Sequence, residues 1–193
     1  INGTSISSVA QTEADSIKLS LGSSLQNAQE YTISVSGIED IFSNAISSAD
    51  TTFTYYNPTP VDSGDVAINE FMSAPPSNSS EYIEIYNHSS KSLDLQGWTL
   101  SDAIQNQDMM TNSQFIVPPD SFVVIAPENT LASDYPDIAL ISMGSFPSLN
   151  NGGDVITIRD SNGTLLDSLS YSSNWGSDEV ALERRSVDVS PIY

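Results

Sequence analysis

The sequence contains no cysteine among its 193 residues, and it is poor in cations, with five Lys plus Arg against 25 Asp plus Glu. Without cysteine the chain has no disulfide, no zinc–thiolate site and no cysteine nucleophile. Its formal net charge of −20 excludes nucleic-acid binding through phosphate contacts, which need clustered Lys and Arg. An anionic membrane surface would repel the chain for the same reason. No apolar run approaches the ~18 residues of a membrane-spanning helix.

Histidine is almost as scarce, because His88 is the only one. A Ser-His-Asp triad needs a histidine that a carboxylate holds in place, and no G-x-S-x-G segment presents a serine here. We expect His88 to be an exposed loop residue. Glu70 and Glu84 lie on successive predicted strands and could form the carboxylate pair of a glycosidase, but a chain with 25 acidic residues brings such pairs together by chance. The sequence therefore predicts that the chain is not an enzyme.

Short stretches of alternating apolar and polar residues recur every ~8–12 residues, with turn-forming residues between them, which predicts an all-β sandwich or barrel. The continuous apolar run at 122–126 predicts burial on both faces of that strand. Asn162-Gly163 predicts a type I′ hairpin turn. The two best helix candidates are short, at 11–16 and 38–47. The predicted strands are 17–21, 31–35, 52–55, 66–71, 81–87, 115–117, 122–126, 155–159, 165–171 and 180–184.

Residues 57–64 contain two prolines and a glycine but no apolar cluster, which is typical of a linker. The sequence therefore predicts three regions: a segment at 1–57, a linker at 58–64 and a domain at 65–189.

The C-terminal region contains a series of sequence blocks at 66–72, 81–87, 93–102, 146–154, 170–171, 175–176 and 182–184. In this order the blocks resemble the lamin-tail domain, in its bacterial form. The resemblance implies an immunoglobulin-like (Ig-like) β-sandwich, in which Trp98 after Gly97 anchors the core; a ligand-stacking platform is the alternative role for Trp98.

The N-terminal segment resembles the C-terminal half of a bacterial Ig-like domain, over 25–55 and most closely at 31–38. Half a sandwich has unpaired strand edges and an open face. We therefore expect this segment to pack on the lamin-tail-like domain or to borrow strands from a partner, and self-association is one way to do so.

Two sets of residues are candidates for binding. An exposed aromatic strip of Tyr82, Tyr86 and Tyr171 would suit a sugar or a protein partner, although tyrosine also favours strands for structural reasons.

Acidic residues that crowd together would repel one another unless a cation neutralises them, and hard cations take oxygen ligands. We expect the acidic residues to be spread over a solvated surface without a certain cofactor, and a structural calcium ion is the alternative. The candidate ligands of that ion are Glu70, Glu81, Glu84 and Asp102.

The function expected from these observations is a non-catalytic accessory, adhesion or interaction module of a larger secreted or cell-surface bacterial protein. The alternative is a non-catalytic region that flanks a hydrolase or nuclease domain absent from this chain. The lack of cysteine fits either a reducing cytosol or a bacterial secreted protein that does without disulfides. The many Ser, Thr and Asn residues and the scarcity of Lys favour the second setting, so the expected location is extracellular or on the cell surface. The expected partner is a protein or a carbohydrate.

Overall fold

The alternating stretches fold into strands throughout the residues that the structure describes. The computed structural model describes residues 1–13, 16–40, 42–104, 107–127, 130–175 and 178–187. It is almost entirely β, which confirms the predicted fold class. Contacts divide the chain into two compact units, Ile1–Asn57 and Pro58–Tyr193. No helix in the described ranges combines the length and the apolar composition that a membrane crossing requires.

Unit 1 consists of three two-stranded antiparallel ribbons. The ribbons are β1 (Ile6–Glu13) with β2 (Ser16–Leu21), β3 (Gln29–Val35) with β6 (Ala49–Tyr55), and β4 (Ile38–Glu39) with β5 (Ala45–Ile46). In the β3–β6 ribbon, the pairs Tyr31–Phe53 and Ile33–Thr51 share one face, and the Tyr31 and Phe53 rings stack with their centroids 5.8 Å apart. The β1–β2 ribbon pairs Val9 with Leu19, and Val9 is 60% exposed.

Unit 2 is an Ig-like sandwich of a five-stranded and a four-stranded sheet, with a small additional sheet of two strands. The five-stranded sheet has the order β14-β13-β8-β7-β17, with bounds Leu140–Ser142, Ser121–Ala126, Tyr82–Asn87, Val66–Met72 and Leu182–Glu183. The four-stranded sheet has the order β11-β10-β15-β16, with bounds Asp108–Met109, Thr99–Ser101, Gly153–Arg159 and Leu165–Ser172. The small sheet pairs β9 (Leu93–Asp94) with β12 (Ile116–Val117), and helix α1 covers Thr130–Asp134.

Alternate residues of the strands in both sheets form one buried core between the sheets. On β8, Ile83 and Ile85 point into this core, while Tyr82, Glu84 and Tyr86 point to the opposite face. Trp98 is 3% exposed within the core, so the predicted core anchor is confirmed. A second, smaller cluster lies on the far side of the five-stranded sheet; its buried residues are Val124, Ala126 and Leu131. Because the two clusters lie on opposite faces of β13, residues 123–126 are buried whichever face they occupy, as predicted. The prediction was wrong for Phe122, which begins the same apolar run but is 46% exposed.

A partly buried ion pair joins the two sheets beside a β-bulge in β7. The β7–β8 register shifts between Ile68, which pairs with Ile85, and Glu70, which pairs with Glu84, so Asn69 is the extra residue. Asp167 on β16 accepts a hydrogen bond from the Ile68 N–H at 2.8 Å, and Arg184 donates one to the Ile68 carbonyl at 2.8 Å. Asp167 and Arg184 also pair with each other at 2.7 Å.

Three other local predictions were wrong. The segments predicted to be helical at 11–16 and 38–47 contain strands instead, because the chain pairs them into ribbons; Ala14, Asp15 and Ile41 in those segments lie outside the described residues. The turn after β15 is not type I′, because only Gly163 has a positive φ there, at 83°. Asp160 accepts hydrogen bonds from the backbone N–H groups of Asn162 and Thr164 and thereby stabilises a different turn. Gly176 and the expected domain end at residue 189 also lie outside the described residues.

Candidate interaction surface

Four of the predicted site residues share the side of the five-stranded sheet that points away from the main core. We call this side the outer face and define it by Glu70, Tyr82, Glu84, Tyr86, Phe122 and Glu183. Glu84 and Tyr86 follow each other at alternate positions of β8, and Glu70 lies opposite Glu84 on β7. The sheet register therefore brings together residues that the sequence indicated separately as aromatic and acidic candidates.

Three glutamates form a row across the outer face. Glu183 on β17 lies opposite Glu70 on β7, and Glu70 lies opposite Glu84 on β8. Partial burial raises the pKa of Glu84; the hydrogen bond from Asn69 at 2.8 Å opposes this rise, and the negative charges of Glu70 and Glu183 add to it. The row therefore places like charges on neighbouring strands, an arrangement that destabilises a sheet.

An aromatic pair lies beside the acidic row. The rings of Tyr86 and Phe122 stack with centroids 4.4 Å apart and planes 14° apart, and the His88 ring lies 5.8 Å from Tyr86. Phe122 is 46% exposed. The Tyr86 hydroxyl donates a hydrogen bond to Asp120, and this bond raises the pKa of Tyr86. Carboxylates therefore lie on both sides of the stacked rings, Glu84 on one and Asp120 on the other.

Phe122 was not among the predicted site residues. The run 122–126 indicated burial throughout, but Phe122 extends beyond the small cluster of Val124, Ala126 and Leu131 that covers the outer side of β13. The sequence contained one signal: Phe122 has the phase of Val124 in strand alternation, so the two side chains share one face of β13.

Tyr82 is less available than Tyr86. Its ring packs against the small cluster of Val124, Ala126 and Leu131, and its hydroxyl donates a hydrogen bond to Glu70. Burial raises the pKa of Tyr82, and the hydrogen bond to Glu70 raises it further. Tyr82 thus holds one carboxylate of the acidic row in place.

Tyr171 does not belong to an exposed strip with the other two tyrosines. It lies on β16 of the opposite sheet, is 6% exposed, and packs against Phe71 at a centroid distance of 4.5 Å. Its hydroxyl donates a hydrogen bond to the Asn150 carbonyl at 3.0 Å. Burial, assisted by the nearby charge of Asp154, raises the pKa of Tyr171 to about 12. The expected strip is therefore corrected at this position, because strand alternation turns Tyr171 into the core.

The four candidate calcium ligands are not gathered at one place. Glu70 and Glu84 lie on the outer face, whereas Glu81 accepts a hydrogen bond from the Leu149 N–H at 3.3 Å and Asp102 accepts one from the Ile104 N–H at 2.8 Å. Among the described residues, no group of three or more His, Asp or Glu is arranged to hold a metal ion. Calcium binding stays a prediction.

Asp154 occupies a structural position at the beginning of β15, where the preceding loop enters the strand. Burial alone would raise the pKa of Asp154, but hydrogen bonds from the backbone N–H groups of Ala103, Val155 and Asn150 and from the Asn150 side chain lower it overall. The neighbouring Gly153 has a φ of 126°, and a Cβ at this position would lie 2.7 Å from the Tyr171 carbonyl oxygen. These contacts give Gly153 and Asp154, which belong to the recognised sequence block at 146–154, a role in loop structure.

A groove of about 600 Å³ lies between the edge strands β11 and β14. Its lining includes Met109, Met110, Phe115 and Met143, with Asp108 as the acidic residue among them. Glu70 and Glu84 do not line it. This groove therefore does not provide the two carboxylates that glycoside hydrolysis requires.

Comparison with known proteins gives one family. Comparison with curated proteins and with solved structures found no significant match. The family model of the Lamin Tail Domain matches residues 59–173, more than half of the chain, and this range covers most of the sandwich of unit 2. The family is one of non-catalytic, Ig-like interaction domains. The order of the sequence blocks, the sandwich that they build and the family match together show that the chain belongs to the lamin tail domain family.

Proposed function

We propose that this chain is a non-catalytic interaction module of a larger secreted or cell-surface bacterial protein, and that it contacts its partner through the outer face of unit 2. The observation that supports this proposal most directly is the stacked Tyr86–Phe122 pair, whose Phe122 ring is 46% exposed beside an acidic row. Exposed aromatic side chains are common at interface centres, because they provide a large apolar area at little entropic cost.

The chemistry of the surface also supports binding over catalysis. Glu70 and Glu84 lie on an open sheet face, and the groove between β11 and β14 does not include them. An active site normally places its carboxylates in a concave pocket that excludes water.

Composition supports the location outside the cell, since the chain lacks cysteine and has a net charge of −20, which favours solubility and discourages contact with nucleic acid.

Location and binding are tested separately. Antibody against unit 2 should label intact cells of the source organism or detect the protein in the medium; a signal that appears only after lysis would contradict the proposed location.

For binding, fluorescently labelled chain is applied to intact cells, and the retained fraction is measured for the wild type and for the double variant Tyr86→Ser, Phe122→Ser.

The matched control is Ile104→Ser, because Ile104 is 73% exposed in the same unit but is not part of the outer face. We expect the double variant to lose most of the retained signal and the control to keep it. Equal retention by the double variant and the wild type would exclude the outer face as the contact surface.

A further inference from the structure

The acidic row on the outer face has no cationic partner within the described residues. The ion pairs there join Lys91 to Asp62 and Asp65, and Arg184 to Asp167. None of them involves Glu70, Glu84 or Glu183. The described residues thus include three carboxylates on neighbouring strands that no ion pair among those residues neutralises.

The Tyr86–Phe122 stack lies next to the acidic row, close enough for one long cationic side chain to contact both. Glu84 and Tyr86 are two residues apart on one face of β8, which corresponds to ~6.8 Å along an antiparallel strand. The flexible stem of a Lys or Arg side chain packs on apolar surface while its charged head reaches a polar one, and Arg also stacks on aromatic rings. Asp120, which accepts the hydrogen bond from Tyr86, provides a further carboxylate beyond the rings.

We propose that the outer face binds a cationic segment of a partner protein, with Arg or Lys stems on the Tyr86–Phe122 stack and their charged heads against Glu84 and Glu70. This inference rests on the proposed function, because it names the partner class for the same surface. An apolar partner would bury the three carboxylates without compensation, which is costly, and an anionic partner would be repelled by them. A cationic partner instead removes the repulsion along the row.

The test uses a fluorescein-labelled nonapeptide with Arg or Lys at alternate positions and Ser between them. Binding to the full chain is followed by fluorescence anisotropy. Two further peptides replace every cation by Gln or by Glu, and cellohexaose serves as a neutral carbohydrate probe, followed by calorimetry. The variants are Glu84→Gln and Phe122→Ser. The matched control is Glu30→Gln, which removes the same charge from an exposed position in unit 1.

We expect the cationic peptide to bind, and the Gln and Glu peptides to bind at least about tenfold more weakly. A tenfold weaker affinity corresponds to a loss of ~1.4 kcal/mol in binding free energy. Glu84→Gln and Phe122→Ser should each weaken binding by about three- to tenfold. Glu30→Gln should change it less than about twofold, because Glu30 is an exposed residue that is not part of the outer face. Equal losses for Glu84→Gln and Glu30→Gln would show only general attraction to a polyanion and would overturn the inference.

The remaining outcomes separate this inference from the proposed function. If the Gln peptide or cellohexaose binds as well as the cationic peptide and loses affinity in Phe122→Ser, the outer face remains the binding surface but the cationic partner is wrong. If the cationic peptide does not bind, the inference fails, and the retention experiment on cells decides the proposed function independently.

Discussion

Substituting Glu84 by Gln should stabilise unit 2 at neutral pH. Glu84 accepts the hydrogen bond from Asn69 at 2.8 Å through one oxygen, and the amide oxygen of Gln can accept the same bond. The substitution removes the charge that faces Glu70 on the neighbouring strand. Directly opposed like charges cost ~0.2–1 kcal/mol. Glu183 lies two strands away, ~10 Å, where the Coulomb energy in water is about 0.4 kcal/mol and screening at physiological salt lowers it to about 0.1 kcal/mol. Removing a partly buried charge contributes to the gain, and most of the relieved repulsion comes from Glu70. We expect a total gain of about 0.5 kcal/mol.

The gain should depend on pH in a defined direction. The pKa of Glu84 in the folded protein lies above its ordinary value of 4.5, so the folded state binds more protons than the unfolded state between those two values. Wild-type stability therefore falls as pH rises through that window, and the full penalty is present above it. The variant does not titrate at this position. The difference between the two proteins should be near zero at about pH 3, where Glu84 is protonated in both states, and should reach its full value near pH 7.

Urea unfolding followed by tryptophan fluorescence measures this difference. Trp98 is buried in the core of unit 2, and Trp175 packs against the same core, so the signal reports this unit. A gain of about 0.5 kcal/mol corresponds to a rise in Tm of about 1–3 °C for a unit of this size. Glu30→Gln is the control and should change stability little. A destabilised Glu84→Gln variant at pH 7, or a gain that is the same at pH 3 and pH 7, would refute the reasoning.

Four further predictions concern the rest of the chain. Asp167→Ala should destabilise unit 2 by about 3 kcal/mol in urea, because Arg184 and the Ile68 N–H lose a largely buried partner; Asp167→Asn should cost less, and equal small effects would show that the ion pair is unimportant. Asp154→Ala should destabilise unit 2 by about 2 kcal/mol at pH 7. Because the pKa of Asp154 is lowered in the folded state, the difference in stability between variant and wild type should shrink as the pH falls through and below the ordinary pKa of 3.8. A difference that does not change with pH would contradict this prediction. Millimolar calcium should raise the midpoint of thermal unfolding if calcium is a structural cofactor, and an unchanged midpoint with calcium or chelator at fixed ionic strength would exclude it. Light scattering should show an oligomer that Val9→Ser weakens if the N-terminal segment self-associates, because Val9 is 60% exposed on the apolar face of the β1–β2 ribbon; a monomer at high concentration would exclude it.

The sequence predicted most strands of unit 2 because each has a period of two and ends at turn residues. The strand predicted at 81–87 is observed as Tyr82–Asn87, and that predicted at 165–171 as Leu165–Ser172. It did not predict β1, since the polar residues at 11–16 gave no alternation, and the strand forms only through pairing with β2. It also did not predict β14, whose three residues are too short for a periodic signal and depend on the parallel pairing with β13.

The candidate site was predicted in part. Strand alternation places Tyr82, Glu84 and Tyr86 on one face from the sequence alone. The same rule could not show that Tyr171 lies in the core, because period two divides a strand into two faces without saying which is covered. It could not place Phe122 beside Tyr86 either, since this requires the antiparallel register of β13 against β8.

The sequence by itself therefore determined the all-β class, the absence of cysteine chemistry and the strongly negative charge, because composition and short-range periodicity carry that information. The lamin tail family came from the resemblance of its ordered sequence blocks. The tertiary structure decided which of the acidic residues lie together on one surface. The registers of β17, β7 and β8 align Glu183, Glu70 and Glu84, which are far apart in the sequence, and the register of β13 brings the Phe122 ring onto Tyr86 beside them. Register is set by the pairing of whole strands around a shared core, which no single segment of sequence specifies.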